Sequence, residues 1–159
     1  MFGVCFMVLK IENVMVANVV TVEAEATVRE AVELMNKNEI GCLIVVDEEE
    51  KPVGIITERD LLKRVLAKRK DPVRAKVKDI MSKPLVTGTP HMDIEDAVRL
   101  MFKHKIKKLP VVENGQLVGL VTLTDLVRFQ PQIIRILKKL SSTQLPPKHM
   151  KKVVDYYVV

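Results

Sequence analysis

The chain repeats itself, and this feature constrains its fold most. Val14-Met15 … Val20-Thr21 recurs as Ile80-Met81 … Val86-Thr87, 66 residues later. At the same offset Ala31-Val32, Leu34-Met35, Ile40, Leu43, Val45 and Val46 return as Ala97-Val98, Leu100-Met101, Ile106, Leu109, Val111 and Val112. The offset then drops to 65, and Val53-Gly54, Thr57 and Asp60-Leu61 return as Val118-Gly119, Thr122 and Asp125-Leu126. One turn has lost one residue; the rest of the register is kept. Such a pattern specifies two copies of one supersecondary unit. Each copy has about 55 residues, a size at which a lone core is marginal, so the two are expected to share one.

Each copy reads as β-α-β-β-α. A short strand comes first, Val19–Val22 or Leu85–Thr87. A helix follows, with Thr27 or Asp93 at its N-cap and with Val28, Ala31, Val32, Leu34 and Met35, or Ile94, Ala97, Val98, Leu100 and Met101, on one face. Leu43–Val46 and Pro110–Val112 are unbroken apolar runs, the pattern of strands covered on both faces. The polar turns Asp47–Lys51 and Glu113–Gln116 fold each run back onto Pro52–Thr57 or Leu117–Thr122, and a second helix starts near Asp60 or Asp125. The fold class is α/β (α+β): two β-α-β-β-α motifs related by a pseudo-twofold axis, plus a short C-terminal tail. The divisions are an apolar extension over 1–9, motif 1 over 10–66, a basic linker over 67–78, motif 2 over 79–130 and a basic tail over 131–159. In the tail, Gln132–Leu140 reads as an amphipathic helix and Ser141–Lys148 as a breaker; Val153–Val159 reads as a strand or helix that docks on a partner chain.

Composition narrows the function. Hydrophobic residues are 48% of 159, enough for a globular core, and no apolar run approaches the roughly 18 residues that span a bilayer. No membrane association is therefore expected. Cys5 and Cys42 cannot build a disulfide framework or a four-ligand zinc site, and aromatics at 4% do not supply base-stacking platforms. Met1–Leu9 is apolar but lacks a preceding basic stretch and a small-residue cleavage site, so a cytoplasmic location is expected. The formal charge of +6 is unevenly spread. Residues 1–63 hold 6 basic and 12 acidic groups, residues 64–130 hold 14 and 7, and the tail has six Lys/Arg against Asp155. This is a polarised body with a basic tail, not a uniform nucleic-acid surface.

Each unit closes on the same chemistry: Gly54-Ile55-Ile56-Thr57-Glu58-Arg59-Asp60 and Gly119-Leu120-Val121-Thr122-Leu123-Thr124-Asp125. A hydroxyl at a strand end and a carboxylate three residues on can hydrogen-bond a cis-diol, and an adjoining helix start favours an anion, a pairing that suits a ribose phosphate. The competing reading is that Asp60 and Asp125 only cap their helices. Recurrence in two matched units favours the ligand.

These residues resemble a tandem pair of CBS domains, the regulatory fold named after cystathionine β-synthase and also called a Bateman module. The resemblance spans roughly residues 10–130 and rests on the Val/Ile-Met starts, the Val-Thr strands, Leu109-Pro110-Val111-Val112 and both Gly-h-h-Thr-x-x-Asp endings, where h is apolar. It implies a non-catalytic sensor of adenine nucleotides or adenosine derivatives (AMP, ADP, ATP, S-adenosylmethionine), bound in clefts between the motifs, with no required cofactor and no metal. Asp60 and Asp125 then meet ribose hydroxyls, and Thr57 and Thr122 meet ribose or phosphate. Thr21, Ile40 and Gly41, or Thr87, Ile106 and Pro110, lie along the base pocket. It further implies a homodimer that signals to an effector protein.

The two sites are expected to differ. Lys107-Lys108 precede Leu-Pro in the second unit, whereas the first has uncharged Gly41-Cys42. The expectation is a phosphate site beside Asp60 served by Lys107, Lys108 and Arg59, with a less charged ligand or none beside Asp125. The plainer reading leaves both lysines as solvated charges. His91, His104 and His149 have no metal-ligand spacing, Cys42 reads as a buried small hydrophobe, and the methionines at 15, 35, 81 and 101 read as core. The alternative function is a nucleic-acid-associated regulator using Lys68-Arg69-Lys70, Arg74, Lys76 and the tail lysines.

Overall fold

The computed structural model describes residues 9–129 together with Arg135, Lys138 and Lys139. The expectations for the extension before Leu9 and for the tail elements beyond residue 130 fall outside the described residues.

Thr27 begins the first long helix by a reciprocal capping box. Its hydroxyl accepts from Glu30 N at 3.2 Å while its own N–H donates to the Glu30 carboxylate at 2.6 Å. Such a cap contributes about 1 kcal/mol. Helix α1 (Val28–Asn38) buries Val28, Ala31 and Met35. Its counterpart α3 (Ile94–His104) buries Ile94, Ala97, Val98, Met101 and Phe102. Asp93 stands at the N-cap of α3 without a side-chain cap; its carboxylate instead takes the Lys10 ammonium at 2.5 Å. Both helices end on a left-handed non-glycine residue, Glu39 (φ 53°) and Lys105 (φ 57°).

In the first unit the strands are β1 (Thr21–Glu23), β2 (Cys42–Val46) and β3 (Pro52–Thr57), in that order across one sheet. β1 runs parallel to β2, with Thr21 opposite Ile44, and β3 runs antiparallel, with Cys42 opposite Thr57. β2 is buried at all five positions, as its unbroken apolar run requires. The second unit pairs β4 (Lys108–Glu113) with β5 (Gln116–Thr122). Here the expected first strand, Leu85–Thr87, does not form. A single parallel bridge from Gly88 to Val111 takes its place, with Gly88 N donating to Pro110 O at 2.9 Å. The lost turn residue is also explained. Asn114 (φ 50°) and Gly115 (φ 78°) make a two-residue turn between β4 and β5. The longer first turn instead folds on Asp47, which accepts from Glu49 N and Lys51 N.

The second helices begin earlier than expected. A short α-turn, α2 (Glu58–Asp60), continues as a π-helical stretch over Leu61–Leu66, and α4 spans Leu123–Phe129. Thr57 is the N-cap and Asp60 sits in the first turn, because a Thr-x-x-Asp run forms a capping box from its first residue.

The chain divides into two compact units, and their make-up does not follow the repeat. The first gathers Asn18–Leu85 with Asn114–Leu117, and the second gathers 9–17, Val86–Glu113 and 118–129. The Val/Ile-Met segment that begins each repeat has therefore been exchanged. Ser82 pairs with Ile55 on β3 (N···O 2.8 and 3.1 Å), and Val16 pairs with Leu120 on β5 (2.9 Å both ways). Val77, Ile80 and Met81 complete the core of the first unit with Val22, Leu43, Val45 and Ile56. Ile11 and Val14 complete that of the second with Leu109, Val111, Val121 and Leu126. Met35, Met81 and Met101 are buried core, as is Cys42, a free thiol.

Candidate functional site

In the first unit, antiparallel pairing ends β3 at Thr57, opposite the start of β2. Glu58 N donates to Gly41 O at 3.2 Å, so the chain turns into α2 directly over Gly41. The Asp60 carboxylate folds back on this turn. Its Oδ2 accepts from Thr57 N at 3.0 Å and from Thr57 Oγ1 at 2.8 Å. Its Oδ1 accepts from Ser82 Oγ at 3.1 Å, with Arg64 Nη1 at 3.5 Å. Asp60 is only 8% exposed, and a carboxylate so buried needs these partners to stay charged at acceptable cost. Arg64 reaches the site from the π-helical stretch and also donates to Ile80 O and Met81 O at 2.6 and 2.7 Å.

The second unit repeats the turn with fewer partners. Leu123 N donates to Lys107 O at 2.9 Å, which sets the start of β4 beside the start of α4. Thr122 Oγ1 donates to Asp125 Oδ2 at 2.5 Å and accepts from Asp125 N at 3.2 Å. Asp125 is half-buried.

Of the sequence-predicted residues, the structure joins Thr57 with Asp60 and Thr122 with Asp125, and sets Gly41 and Lys107 against the two turns. Thr21 is exposed at the head of β1 and Arg59 is exposed on α2; Ile40 is half-buried just before Gly41. Thr87 is exposed, Ile106 and Lys108 are half-buried and Pro110 is buried, along β4 and the segment that bridges to it. Lys107 and Lys108 belong to the unit that holds Asp125.

Three residues were missed by sequence reasoning: Ser82, Arg64 and Glu58. The Glu58 carboxylate rests on Gly41, where an added β-carbon would come within 2.9 Å of it. The signal for Ser82 and Arg64 lay in the repeat. Their matched positions are Val16 and Phe129, so the two copies differ in polarity at both places. Among the described residues there is no group of His, Cys, Asp and Glu able to hold a metal ion, and no helix long and apolar enough to cross a membrane.

The family model for the CBS domain matches twice, over residues 11–67 and 77–132. An uncharacterized protein of Methanopyrus kandleri is 36% identical over 123 residues, covering 77% of this chain and 63% of its own. The chain thus spans less than two thirds of that relative. The CBS domain-containing protein YhcV of Bacillus subtilis is 39% identical over 116 residues, covering 73% and 81%. Among solved structures, the CBS domain pair of protein MJ0100, in complex with 5-methylthioadenosine and S-adenosyl-L-methionine, superposes with a TM-score of 0.71 at 28% identity, covering 79% and 98%. The doubled match covers most of the chain and the likeness to a solved CBS domain pair agrees with it: the chain belongs to the CBS-domain family, as a tandem pair of CBS domains.

Proposed function

We propose that this chain is a ligand-sensing regulatory module without a catalytic step of its own. It binds an adenine nucleotide or adenosine derivative and signals to a partner protein by a shift in conformation. One observation carries the reading: each unit holds a Thr–Asp pair at a strand-to-helix turn, an arrangement that sets a carboxylate acceptor where a ribose hydroxyl could donate to it. The adenosine ligands of the MJ0100 pair support this choice of class. The charge of Lys107 and Lys108 favours a ligand that carries phosphate, AMP, ADP or ATP, over a neutral nucleoside.

Thermal unfolding with AMP, ADP, ATP, NAD, S-adenosylmethionine, 5-methylthioadenosine and adenosine, with GTP as control, tests the reading. A ligand at 100 times its dissociation constant adds about 2.7 kcal/mol of stability. A rise with an adenine compound, absent with GTP and lost when Asp60 and Asp125 are both changed to Asn, is expected. No rise with any of them refutes the sensor. Lys107→Ala/Lys108→Ala is expected to weaken nucleotides and to spare adenosine.

A second reading, contact with nucleic acid, draws on the exposed cations Lys63, Lys68, Arg69, Lys70 and Arg74. A salt-dependent mobility shift with DNA or RNA favours it; no shift at low salt excludes it.

A further inference from the structure

We propose that the two Thr–Asp pairs have divided their roles. Asp60 is a latch that closes the first unit, and Asp125 is the carboxylate open to ligand hydroxyls. The second half rests on the adenosine reading above; the latch does not.

An ionised carboxylate has about four lone-pair sites. At Asp60 two are engaged by Thr57 and one by Ser82, and the Arg64 guanidinium forms an ion pair with Oδ1 at 3.5 Å. A ribose diol brings two more donors, and the carboxylate cannot accept both without releasing a protein donor. Ser82 would then lose its acceptor beside a carboxylate that is 8% exposed, which is costly. Both partners also have a second task. Ser82 lies on the exchanged segment that pairs with β3, and Arg64 holds the carbonyls of Ile80 and Met81 on that segment. Asp60 therefore ties the segment brought from the second repeat to the first unit.

The matched positions in the second unit cannot form such a tie. Val16 replaces Ser82 and Phe129 replaces Arg64; they are 56% and 60% exposed, and neither side chain carries a donor. Among the described residues, Asp125 receives its hydrogen bond from Thr122 through Oδ2, and Oδ1 has no donor. An acceptor open on a half-buried carboxylate suits one ligand hydroxyl directly. The start of β4, with Lys107 and Lys108, adjoins the same turn, so the basic pair and the open carboxylate lie in one unit.

Calorimetric titration of the full chain with AMP and with S-adenosylmethionine, alongside thermal unfolding of each variant, tests the division. The expected result is one equivalent bound per chain, weakened by at least about tenfold in Asp125→Asn, with little change in melting temperature. Ser82→Ala is expected to lower the melting temperature and keep the bound equivalent. Arg64→Met/Ser82→Ala frees Asp60 and is expected to raise the stoichiometry toward two. Loss of affinity in Ser82→Ala with none in Asp125→Asn overturns the division, as does a stoichiometry of two in the unaltered chain. Should neither probe bind, the Asp125 half of the division falls, and unfolding alone decides the latch. Asp60→Asn must then melt several degrees below Asp125→Asn; equal melting overturns the latch as well.

Discussion

The Met81 thioether lies across the backbone of Gly54. A β-carbon built on that glycine would stand 2.5 Å from the Met81 sulfur and 3.1 Å from the Ser82 carbonyl oxygen. Met15 covers Gly119 in the same way, and a β-carbon there would also collide with its sulfur. Two motifs that lie far apart in each repeat are thus halves of one contact. The glycine keeps the strand surface open, and the Val/Ile-Met segment crosses it. Gly54→Ala is expected to destabilise the chain by about 1–3 kcal/mol, the usual cost of overpacking, because backbone as well as a flexible side chain stands in the way. Urea unfolding measures it. A change within error shows that the Met81 segment is free to shift.

The left-handed cap at Glu39 offers a stabilising substitution. Glu39 is exposed, and φ 53° costs a residue with a β-carbon about 1 kcal/mol that glycine avoids. Glu39→Gly is expected to recover much of that figure, less the loss from a more flexible unfolded chain. A lower melting temperature for the variant contradicts this.

Acid should weaken the chain through specific carboxylates. The backbone N–H of Thr27, and then its hydroxyl, hold Glu30 below its ordinary value of 4.5. The Lys78 ammonium, 2.6 Å from Glu25, lowers that carboxyl too. A folded-state value below the unfolded one means that the stabilisation is complete above about pH 4.5 and is lost as pH falls through the lowered value. Lys78 is raised from 10.5 by Glu25, so its contribution is complete below that pH and is lost as pH rises through the raised value. Glu30→Gln removes one titration and keeps a capping side chain. Its melting temperature is expected to fall less steeply in acid than that of the parent. Parallel acid limbs would show that the Thr27–Glu30 box does not set the slope.

The uneven charge bears on assembly. We propose a homodimer in which the acidic stretch 1–63 of one copy faces the basic stretch 64–130 of the other. Sedimentation equilibrium should then show a dimer whose dissociation constant rises with salt. A salt-indifferent dimer, or a monomer at low salt, removes charge as the orienting force.

Much of the architecture was legible because it is local. Thr27 marks a helix start, Glu113–Gln116 marks a turn, and the run from Leu43 to Val46 marks a covered strand. Each signal occupies a short window. The Thr–Asp pairs were legible for the same reason, since both residues lie on one turn. Thr57 rather than Asp60 proved to be the cap. The strand expected at Leu85–Thr87 failed as a local inference, because two or three apolar residues specify no pairing without a partner strand; only Gly88 found one, at Val111.

What the sequence by itself determined is a doubled α-β-β-α unit with a Thr–Asp pair at each closing turn. The tertiary structure alone decided which unit each Val/Ile-Met segment joins, and so which residues meet the two carboxylates. Antiparallel backbone hydrogen bonds are the same whatever strand supplies them, so an extended segment does not name its partner. Ser82 is 22 residues from Asp60 along the chain, and only the exchange of segments brings its hydroxyl to that carboxylate. At Asp125 the same exchange delivers Val16, and the carboxylate keeps an open oxygen.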